Sequence, residues 1–155
     1  QNNIMIVKQE NEELGFVGVP TEINLTIIEK IVKEKKVPVI APLGFDKNNQ
    51  VYNINADTAA GAIAKRLNAR RLIIMSDVEG VLDDNKKLIS EINSEKINDL
   101  IKNETISGGM IPKIKNCLDV ASNGVKGVCI IDGRLDHSIL FELLSNAGSG
   151  TLIRE

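Results

Sequence analysis

The sequence predicts an α/β domain in which helices cover both faces of a mostly parallel sheet. Two observations support this prediction. Short apolar segments alternate along the chain with longer segments whose apolar residues recur at helical spacing. The short segments are apolar without interruption, which is typical of strands buried on both faces of a parallel sheet. The 155 residues suffice for one compact domain, and no stretch has the length and composition of a dividing linker.

The first half of the sequence predicts four strands and two helices. The strands are short apolar runs bounded by polar, Gly or Pro residues, over 4–8, 15–20, 37–44 and 50–54. The last two of these form a hairpin whose turn is the polar stretch 46–49. The helices carry apolar residues every three or four positions, over 23–35 and 56–67.

The second half continues the alternation with three strands and three helices. The predicted strands are the apolar runs 71–77, 125–131 and 150–153. The predicted helices are 94–103, 112–124 and 137–145. Ser94 is expected to cap the first of these helices, because a serine side chain accepts hydrogen bonds from N–H groups of a first turn. Pro112 suits the first position of the second helix, and Gly124 suits its end.

Composition and charge exclude several classes of protein. The formal net charge is −2 and no basic stripe occurs, which argues against non-specific nucleic-acid binding. No apolar run reaches the ~18 residues that a membrane-spanning helix needs. The two cysteines, Cys117 and Cys129, form no C-x-x-C pair, so reduced and buried thiols in a cytosolic protein are expected rather than a disulfide.

Most short catalytic signatures are absent from the sequence. It contains no G-x-x-x-x-G-K-[ST], G-x-G-x-x-G, G-x-S-x-G or H-E-x-x-H motif. The single histidine, His137, begins a predicted helix, where a capping or surface role is expected. In a parallel sheet, ligands bind at the carboxyl ends of strands, and polar residues follow three of the predicted strands.

The first of these segments is "YNINAD", residues 52–57. Helix capping by Asn55 or Asp57 is the structural interpretation, but one cap accounts for one polar residue and not for three. Asn53 is expected to point its amide from a strand end into a crevice. Asp57 falls in a first helical turn, where a carboxylate is stabilised and can hold a lysine in place.

The second segment is "SDVEGVLDD", residues 76–84. Ser76 and Asp77 end a strand, and Gly80 allows a tight turn. A solvated loop is the alternative interpretation, although this loop contains apolar side chains. These apolar residues are expected to line a slot for a flat base: Val78, Val81 and Leu82.

The third segment is "TISGGMIPK", residues 105–113. Gly108 and Gly109 lead directly into a helix, and Lys113 falls in its first turn. Backbone N–H groups, the helix dipole and a lysine together form an anion site, whereas an ordinary loop with a surface lysine is the alternative. Taken with the other two segments, this indicates phosphoryl transfer that relies on positioning and electrostatics without a Walker loop.

Seven segments of the chain, in order, resemble those of the acetylglutamate kinases of the amino acid kinase family. The combination of "NINAD" with "SGGMIPK" is more specific than either motif by itself. The matching segments are "GFVG" (15–18), "VPVIAPLGFD" (37–46), "YNINADTAAGAIA" (52–64), "SDVEGVLDD" (76–84), "ISGGMIPKI" (106–114), "IIDGR" (130–134) and "GSGTLI" (148–153).

The resemblance implies a fold, an activity and partners. The fold is a three-layer αβα sandwich, of which this chain corresponds to the carboxyl-terminal, nucleotide-binding part. The activity is phosphorylation of the side-chain carboxylate of N-acetyl-L-glutamate by ATP with Mg²⁺, the second step of arginine biosynthesis. The resemblance also implies a cytoplasmic homo-oligomer, with L-arginine as an inhibitor of some members.

The resemblance assigns roles to individual residues. Asn53 matches the asparagine that binds acetylglutamate, Asp57 the aspartate that organises catalytic lysines, and Lys113 the lysine that neutralises the transferring phosphoryl group. Glu142 and Gly148 match positions that serve the arginine effector. The residues that match nucleotide-contacting segments are Ser76, Asp77, Val78, Glu79, Gly80, Val81, Leu82, Thr105, Ile106, Ser107, Gly109 and Met110.

The chain also departs from the family pattern. The glycine-rich phosphate loop with its first catalytic lysine, and the substrate-binding Gly-Gly and arginine, do not occur upstream of Asn53. Cys129 replaces a histidine expected before "IIDG". The alternatives are therefore a non-catalytic nucleotide-binding module, or a kinase acting on another small carboxylate or carbamate.

Overall fold

The structure, a computed structural model, describes residues 3–146 and 148–155. The chain forms two compact units, Gln1–Leu67 and Asn68–Glu155, and each contains a four-stranded sheet. Among the described residues, no helix combines the length and the apolar character needed to cross a bilayer.

The described residues of the first unit form four strands and two helices. Its sheet has the order β2-β1-β3-β4, in which β1 is antiparallel to β2 and parallel to β3, and β3 is antiparallel to β4. A short 3₁₀ turn, Glu12–Leu14, joins the first two strands and was not predicted. The elements are β1 Met5–Gln9, β2 Gly18–Ile23, α1 Thr26–Lys33, β3 Leu43–Phe45, β4 Val51–Asn53 and α2 Ala56–Leu67.

The core of the first unit combines its strands with one face of α2. The Phe16 ring meets the Tyr52 ring edge-on, with 5.9 Å between their centroids. Aliphatic side chains supply most of the rest, as the scarcity of aromatic residues requires. The buried residues of this cluster are Met5, Val7, Ile23, Tyr52, Ile54 and Ala59.

The strand predicted over 37–44 is wrong for most of its length. Only its end, from Leu43, belongs to a strand. Val37 and Val39 are 86% and 96% exposed, and no backbone hydrogen bond between described residues pairs 37–40 with another strand. An apolar segment forms a buried strand only when a neighbouring strand and a covering layer are present.

The hairpin predicted over 37–54 is confirmed, although its first strand is shorter than predicted. β3 and β4 pair antiparallel, and Asp46 Oδ1 accepts hydrogen bonds from the N–H groups of Asn48 and Gln50 at 2.8 and 2.9 Å. The helix predicted over 23–35 begins at Thr26, because Asn24 Oδ1 accepts from the Thr26 N–H at 3.0 Å and forms a turn there.

In the second unit, the residues that the structure describes form four strands and three helices. Its sheet has the order β5-β7-β8-β6, in which β5 and β7 are parallel, β6 and β8 are parallel, and β7 and β8 are antiparallel. The two-residue β6 was not predicted. The elements are β5 Leu72–Ser76, β6 Glu91–Ile92, α3 Ser94–Lys102, α4 Met110–Ser122, β7 Val128–Asp132, α5 Ser138–Leu144 and β8 Gly150–Ile153.

Helices cover β7 on both faces. All five residues of β7 are buried. On one face, the Cys129 thiol donates to Glu142 of α5 at 3.0 Å. Side chains alternate between faces, so Val128 and Ile130 lie on the other face, and α4 is the second helix that packs on β7. The α/β class and its helix–sheet–helix layering are confirmed, although strand pairing is more mixed than the predicted mostly parallel sheet.

Helix ends in the second unit differ from the predictions in three places. Asn93 rather than Ser94 caps α3, since Asn93 Oδ1 accepts from the Lys96 N–H at 3.0 Å. α4 begins two residues before Pro112, and the missing N–H of Pro112 costs nothing in the first turn. His137 precedes α5 at φ 62° and makes no capping bond, so its surface role is confirmed and its capping role is not.

Candidate active site

The turn between β4 and α2 is organised by Asn55. Asn55 Oδ1 accepts hydrogen bonds from the Thr58 backbone N–H at 3.2 Å and from Thr58 Oγ1 at 3.4 Å. Asn55 therefore caps α2, one of the two capping candidates predicted from the sequence. Asp57 lies in the first turn of α2, where the helix dipole stabilises a carboxylate.

Asn53 is the last residue of β4 and is exposed. Its backbone N–H donates to the Phe16 carbonyl at 2.8 Å, which fixes the strand end. Within the part of the chain that the structure describes, its side-chain amide has no hydrogen-bond partner. The amide thus stands at a strand end, as substrate recognition requires, and that role stays a prediction.

The loop after β5 is held by backbone contacts to β7 and β8. The Gly133 N–H donates to the Ser76 carbonyl at 2.7 Å, and Ser76 Oγ donates to Asp77 Oδ1 at 3.3 Å. Gly80 has φ 143°, and a Cβ there would lie 2.5 Å from Thr151 Oγ1. The tight turn predicted at Gly80 is confirmed, since another residue would be both strained and obstructed.

The apolar residues of this loop do not share one role. Val81 is 2% exposed and its N–H donates to Thr151 Oγ1 at 2.8 Å, so its side chain packs in the core rather than lining an open slot. Ile106 is also buried, at 3% exposure. Val78 and Leu82 are more accessible. Their contact with a nucleotide base stays a prediction.

The segment leading into α4 is open at its glycines. Gly108 has φ 55°, and a Cβ on Gly108 or Gly109 would meet no atom within 4 Å. No side chain caps α4, and no acidic residue occupies its first turn. Lys113 is the fourth residue of this helix. The geometry fits the predicted anion site, because a ligand can approach the positive end of the helix dipole without obstruction.

A hydrogen bond joins the second and third segments. Thr105 Oγ1 donates to Asp84 Oδ1 at 2.5 Å. The neighbouring Asp83 closes a tight turn, since its Oδ1 accepts from the N–H groups of Asn85 and Lys87 at 2.9 and 2.8 Å. The two loops are therefore positioned together within the second unit.

Sequence reasoning missed one ion pair at this sheet edge. Asp132 ends β7 directly opposite Ser76, and the residue is 3% exposed. Arg134 donates to it from Nε at 2.9 Å and from Nη2 at 2.7 Å. These hydrogen bonds from Arg134 lower the pKa of Asp132 to about 2. The sequence carries only a strand-ending carboxylate followed by Gly-Arg, which by itself does not identify an ion pair.

Acidic residues of the loop after β5 also affect the pKa of Arg134. Its pKa is raised, first by the hydrogen bonds to Asp132 and further by the charges of Asp77 and Glu79. A guanidinium therefore adds positive charge near two of the residues matched to nucleotide contacts.

The two residues matched to an arginine effector lie together at a cavity of about 260 Å³. A Cβ on Gly148 would lie 2.8 Å from Glu142 Oε2. Buried Glu142 accepts from Arg71 Nη1 at 3.1 Å and from the Ser149 N–H at 3.0 Å. Burial, reinforced by Glu142, raises the pKa of the Cys129 thiol to about 12. Cys129 is reduced and buried, as predicted, and so is Cys117.

The candidate residues are distributed over both units. Asn53 and Asp57 belong to the first unit, whereas Lys113 and the loops after β5 and before α4 belong to the second. Among the described residues, no group of three or more His, Cys, Asp or Glu side chains is placed to hold a metal ion.

Two acetylglutamate kinases are similar to this chain. That of Pelagibacter ubique (strain HTCC1062) is 72% identical over 155 residues, covering 100% of this chain and 54% of the relative. That of Rhodopseudomonas palustris (strain TIE-1) is 47% identical over 147 residues, covering 95% and 49%. The chain spans about half the length of the curated relatives it matches.

The fold and a family model agree with these relatives. A solved structure of the smu.665 protein from Streptococcus mutans UA159 matches with a TM-score of 0.80 and 33% identity, covering 97% of this chain and 56% of that one. The model of the amino acid kinase family matches residues 2–132. The chain therefore belongs to the amino acid kinase family.

Proposed function

We propose that the chain supplies the nucleotide-binding part of an acetylglutamate kinase. In this reaction a side-chain carboxylate oxygen of N-acetyl-L-glutamate attacks the γ-phosphorus of ATP, the bond to the β–γ bridging oxygen breaks, and an acyl phosphate and ADP form. The observation that carries the proposal is the 72% identity over the whole chain to a protein of that name.

The start of α4 would bind the nucleotide phosphates. Gly108 and Gly109 leave open space before a helix that no side chain caps. Lys113 would neutralise charge on the phosphoryl group as it transfers, which lowers the barrier because that charge spreads over the equatorial oxygens. Mg²⁺, bound with ATP, would neutralise further phosphate charge.

The first unit would bind the acceptor. Asn53 offers an exposed amide at a strand end, and a planar amide can hydrogen-bond a carboxylate or an acetamido group. Asp57, in the first turn of α2, would hold the catalytic cations in place.

The nucleotide base would bind at the second unit. In the loop after β5, Val78 and Leu82 are the accessible apolar residues for a base.

Regulation and assembly are part of the same proposal. Glu142 and Gly148 line one cavity, and a buried carboxylate suits the guanidinium of L-arginine. A homo-oligomer in the cytoplasm is proposed from the family resemblance of the sequence motifs alone. Calorimetric titration with L-arginine and sedimentation analysis test the effector and the oligomer separately.

Calorimetry with ADP and Mg²⁺ tests the nucleotide site in this chain directly. We expect saturable binding, and about tenfold weaker binding by Lys113→Ala, because a charged phosphate contact is lost. Lys115→Ala is the matched control, since Lys115 is an exposed lysine two residues later on the same helix. Equal affinities for all three proteins would remove Lys113 from the site.

Turnover separates the proposal from its alternatives. In a whole enzyme that includes this chain, Lys113→Ala should lower kcat about 10²–10³-fold, since an interaction with transition-state charge is removed. Nucleotide binding without acetylglutamate-dependent turnover in the 155-residue chain would favour a nucleotide-binding module. Faster turnover with carbamate, glutamate or aspartate would favour a different acceptor.

A further inference from the structure

A cationic cavity lies at the end of the second sheet opposite the loop that follows β5. Its volume is about 290 Å³, and three separate segments line it. These segments precede β5, precede β7 and end β8, whereas the nucleotide-matched loop follows β5. The lining residues are Arg70, Arg71, Lys126, Gly127, Leu152 and Arg154.

The sheet brings these segments together. The Leu72 N–H donates to the Gly127 carbonyl at 3.1 Å, and Val128 pairs with Ile153 of the antiparallel β8. Leu72 and Ser76 are the two ends of β5, so about 13 Å of extended strand separates the cavity from the other edge. The cavity is therefore distinct from the predicted nucleotide site.

The cavity holds more positive charge than its carboxylates balance. Arg71 pairs with Glu142 at 3.1 Å, and Arg154 pairs with Glu91 at 3.4 Å. Arg70 and Lys126 form no ion pair within the described part of the chain. Two unbalanced cations thus line one cavity in a chain whose formal net charge is −2. Like charges gathered in one concavity repel one another, and a bound anion removes that repulsion.

We propose that this cavity binds a compact oxyanion of the phosphate class. Guanidinium groups donate two parallel hydrogen bonds to such oxyanions, and a lysine adds a point charge. The volume lies at the lower limit of ordinary ligand pockets, about 300 Å³, so a single phosphate group fits and a nucleotide does not.

Gly127 keeps the cavity wall open. A Cβ at this position would lie 2.9 Å from Leu152 Cδ1, so a side chain there would press against the apolar part of the lining. Because Gly127 lines the cavity, its amide signal is a local reporter of binding at this site.

Amide NMR during titration of the 155-residue chain with inorganic phosphate tests the proposal. We expect saturable shifts at Gly127 and Leu72, and about tenfold weaker binding by the Arg70→Ala/Lys126→Ala double variant, because two charge-assisted contacts are lost. Lys102→Ala is the control, since Lys102 is exposed at the end of α3 and does not line the cavity. Chloride at matched ionic strength should leave these signals in place.

The outcomes separate this site from the nucleotide site. Equal phosphate affinity in the double variant, or shifts confined to Gly108 and Gly109, would overturn the proposal. Lys113→Ala should leave the shift at Gly127 unchanged while weakening ADP binding. Parallel titrations with inorganic phosphate and glycerol phosphate identify the source: tighter binding of the ester indicates a phosphorylated metabolite, and tighter binding of the free ion indicates phosphate itself.

Discussion

Two apolar stretches of this chain differ in burial: one is a fully buried strand, and the other is exposed and forms no strand. β7 is buried at each of its five residues, between a neighbouring strand on each side and helices on both faces. In the first unit, the stretch 37–40 has no regular secondary structure, forms no ladder among the described residues, and leaves Val37 and Val39 almost fully exposed. An apolar run is therefore not sufficient to form a strand. It becomes one only where a neighbouring strand pairs with it and other elements bury its side chains.

The largest effect should follow truncation inside β7. Ile130 is fully buried, so Ile130→Ala should lower the free energy of unfolding by about 2–5 kcal/mol through lost packing and a residual cavity. Val39→Ala, at a residue 96% exposed, should change it by less than about 0.5 kcal/mol. Urea titrations followed by the amide signals of each unit measure both. Similar losses for the two variants would mean that Val39 is covered in solution.

Within the second unit, a buried carboxylate can be compared with an exposed one. Glu142→Ala leaves Arg71 and the Cys129 thiol without their acceptor, and should destabilise the second unit by about 2–3 kcal/mol. Glu91→Ala is the control, since Glu91 and Arg154 form an exposed pair worth about 0–1 kcal/mol. Equal stability of the two variants would show that Glu142 is solvated.

Acid should weaken the second unit through Asp132. Its pKa in the folded protein is about 2, below the ordinary value of about 3.9 for an unfolded aspartate. The stabilisation is thus complete above about pH 4 and is lost as the pH falls towards 2. Asp132→Asn should flatten the decline in stability between those pH values. An unchanged acid profile, measured by circular dichroism, would mean that the Arg134 pair does not form in solution.

The smallest change in stability should come from the exposed stretch, although its effect on association should be visible. Val37→Lys/Val39→Lys should alter the free energy of unfolding by less than about 0.5 kcal/mol. It should also reduce self-association, because charges on an exposed apolar segment oppose its contact with a second chain. Sedimentation velocity compares it with the unsubstituted chain, and a monodisperse monomer in both cases would refute the expected association.

The local signals in the sequence identified most elements and most of the loops around the site. Helical spacing gave α2 at its observed bounds, and the glycines at 80 and 124 gave turns with positive φ. The errors came from competition between equivalent residues and from missing cover. Asn93 and Ser94 are both good capping residues, and only the backbone geometry decides between them. Whether 37–40 forms a strand depends on neighbouring elements, which a local sequence pattern does not reveal.

Features of the candidate site could be predicted where a local sequence pattern has a single common structural role. Gly-Gly before a helix could be identified from the sequence, whereas the cap was left open between Asn55 and Asp57, and the structure shows that Asn55 is the cap. The Asp132–Arg134 pair could not be identified, because a carboxylate two residues before an arginine also occurs in ordinary surface loops. The hydrogen bonds from Arg134, which the sequence does not report, are what lower the pKa of Asp132.

The central claim is that the open start of α4 receives nucleotide phosphates. Amide NMR of the chain, titrated with a non-hydrolysable ATP analogue and Mg²⁺, tests it most directly. We expect the largest shifts at Gly108 and Gly109, and their loss at the same ligand concentration in Lys113→Ala. Binding that shifts signals elsewhere and leaves these two glycines unchanged would contradict the account.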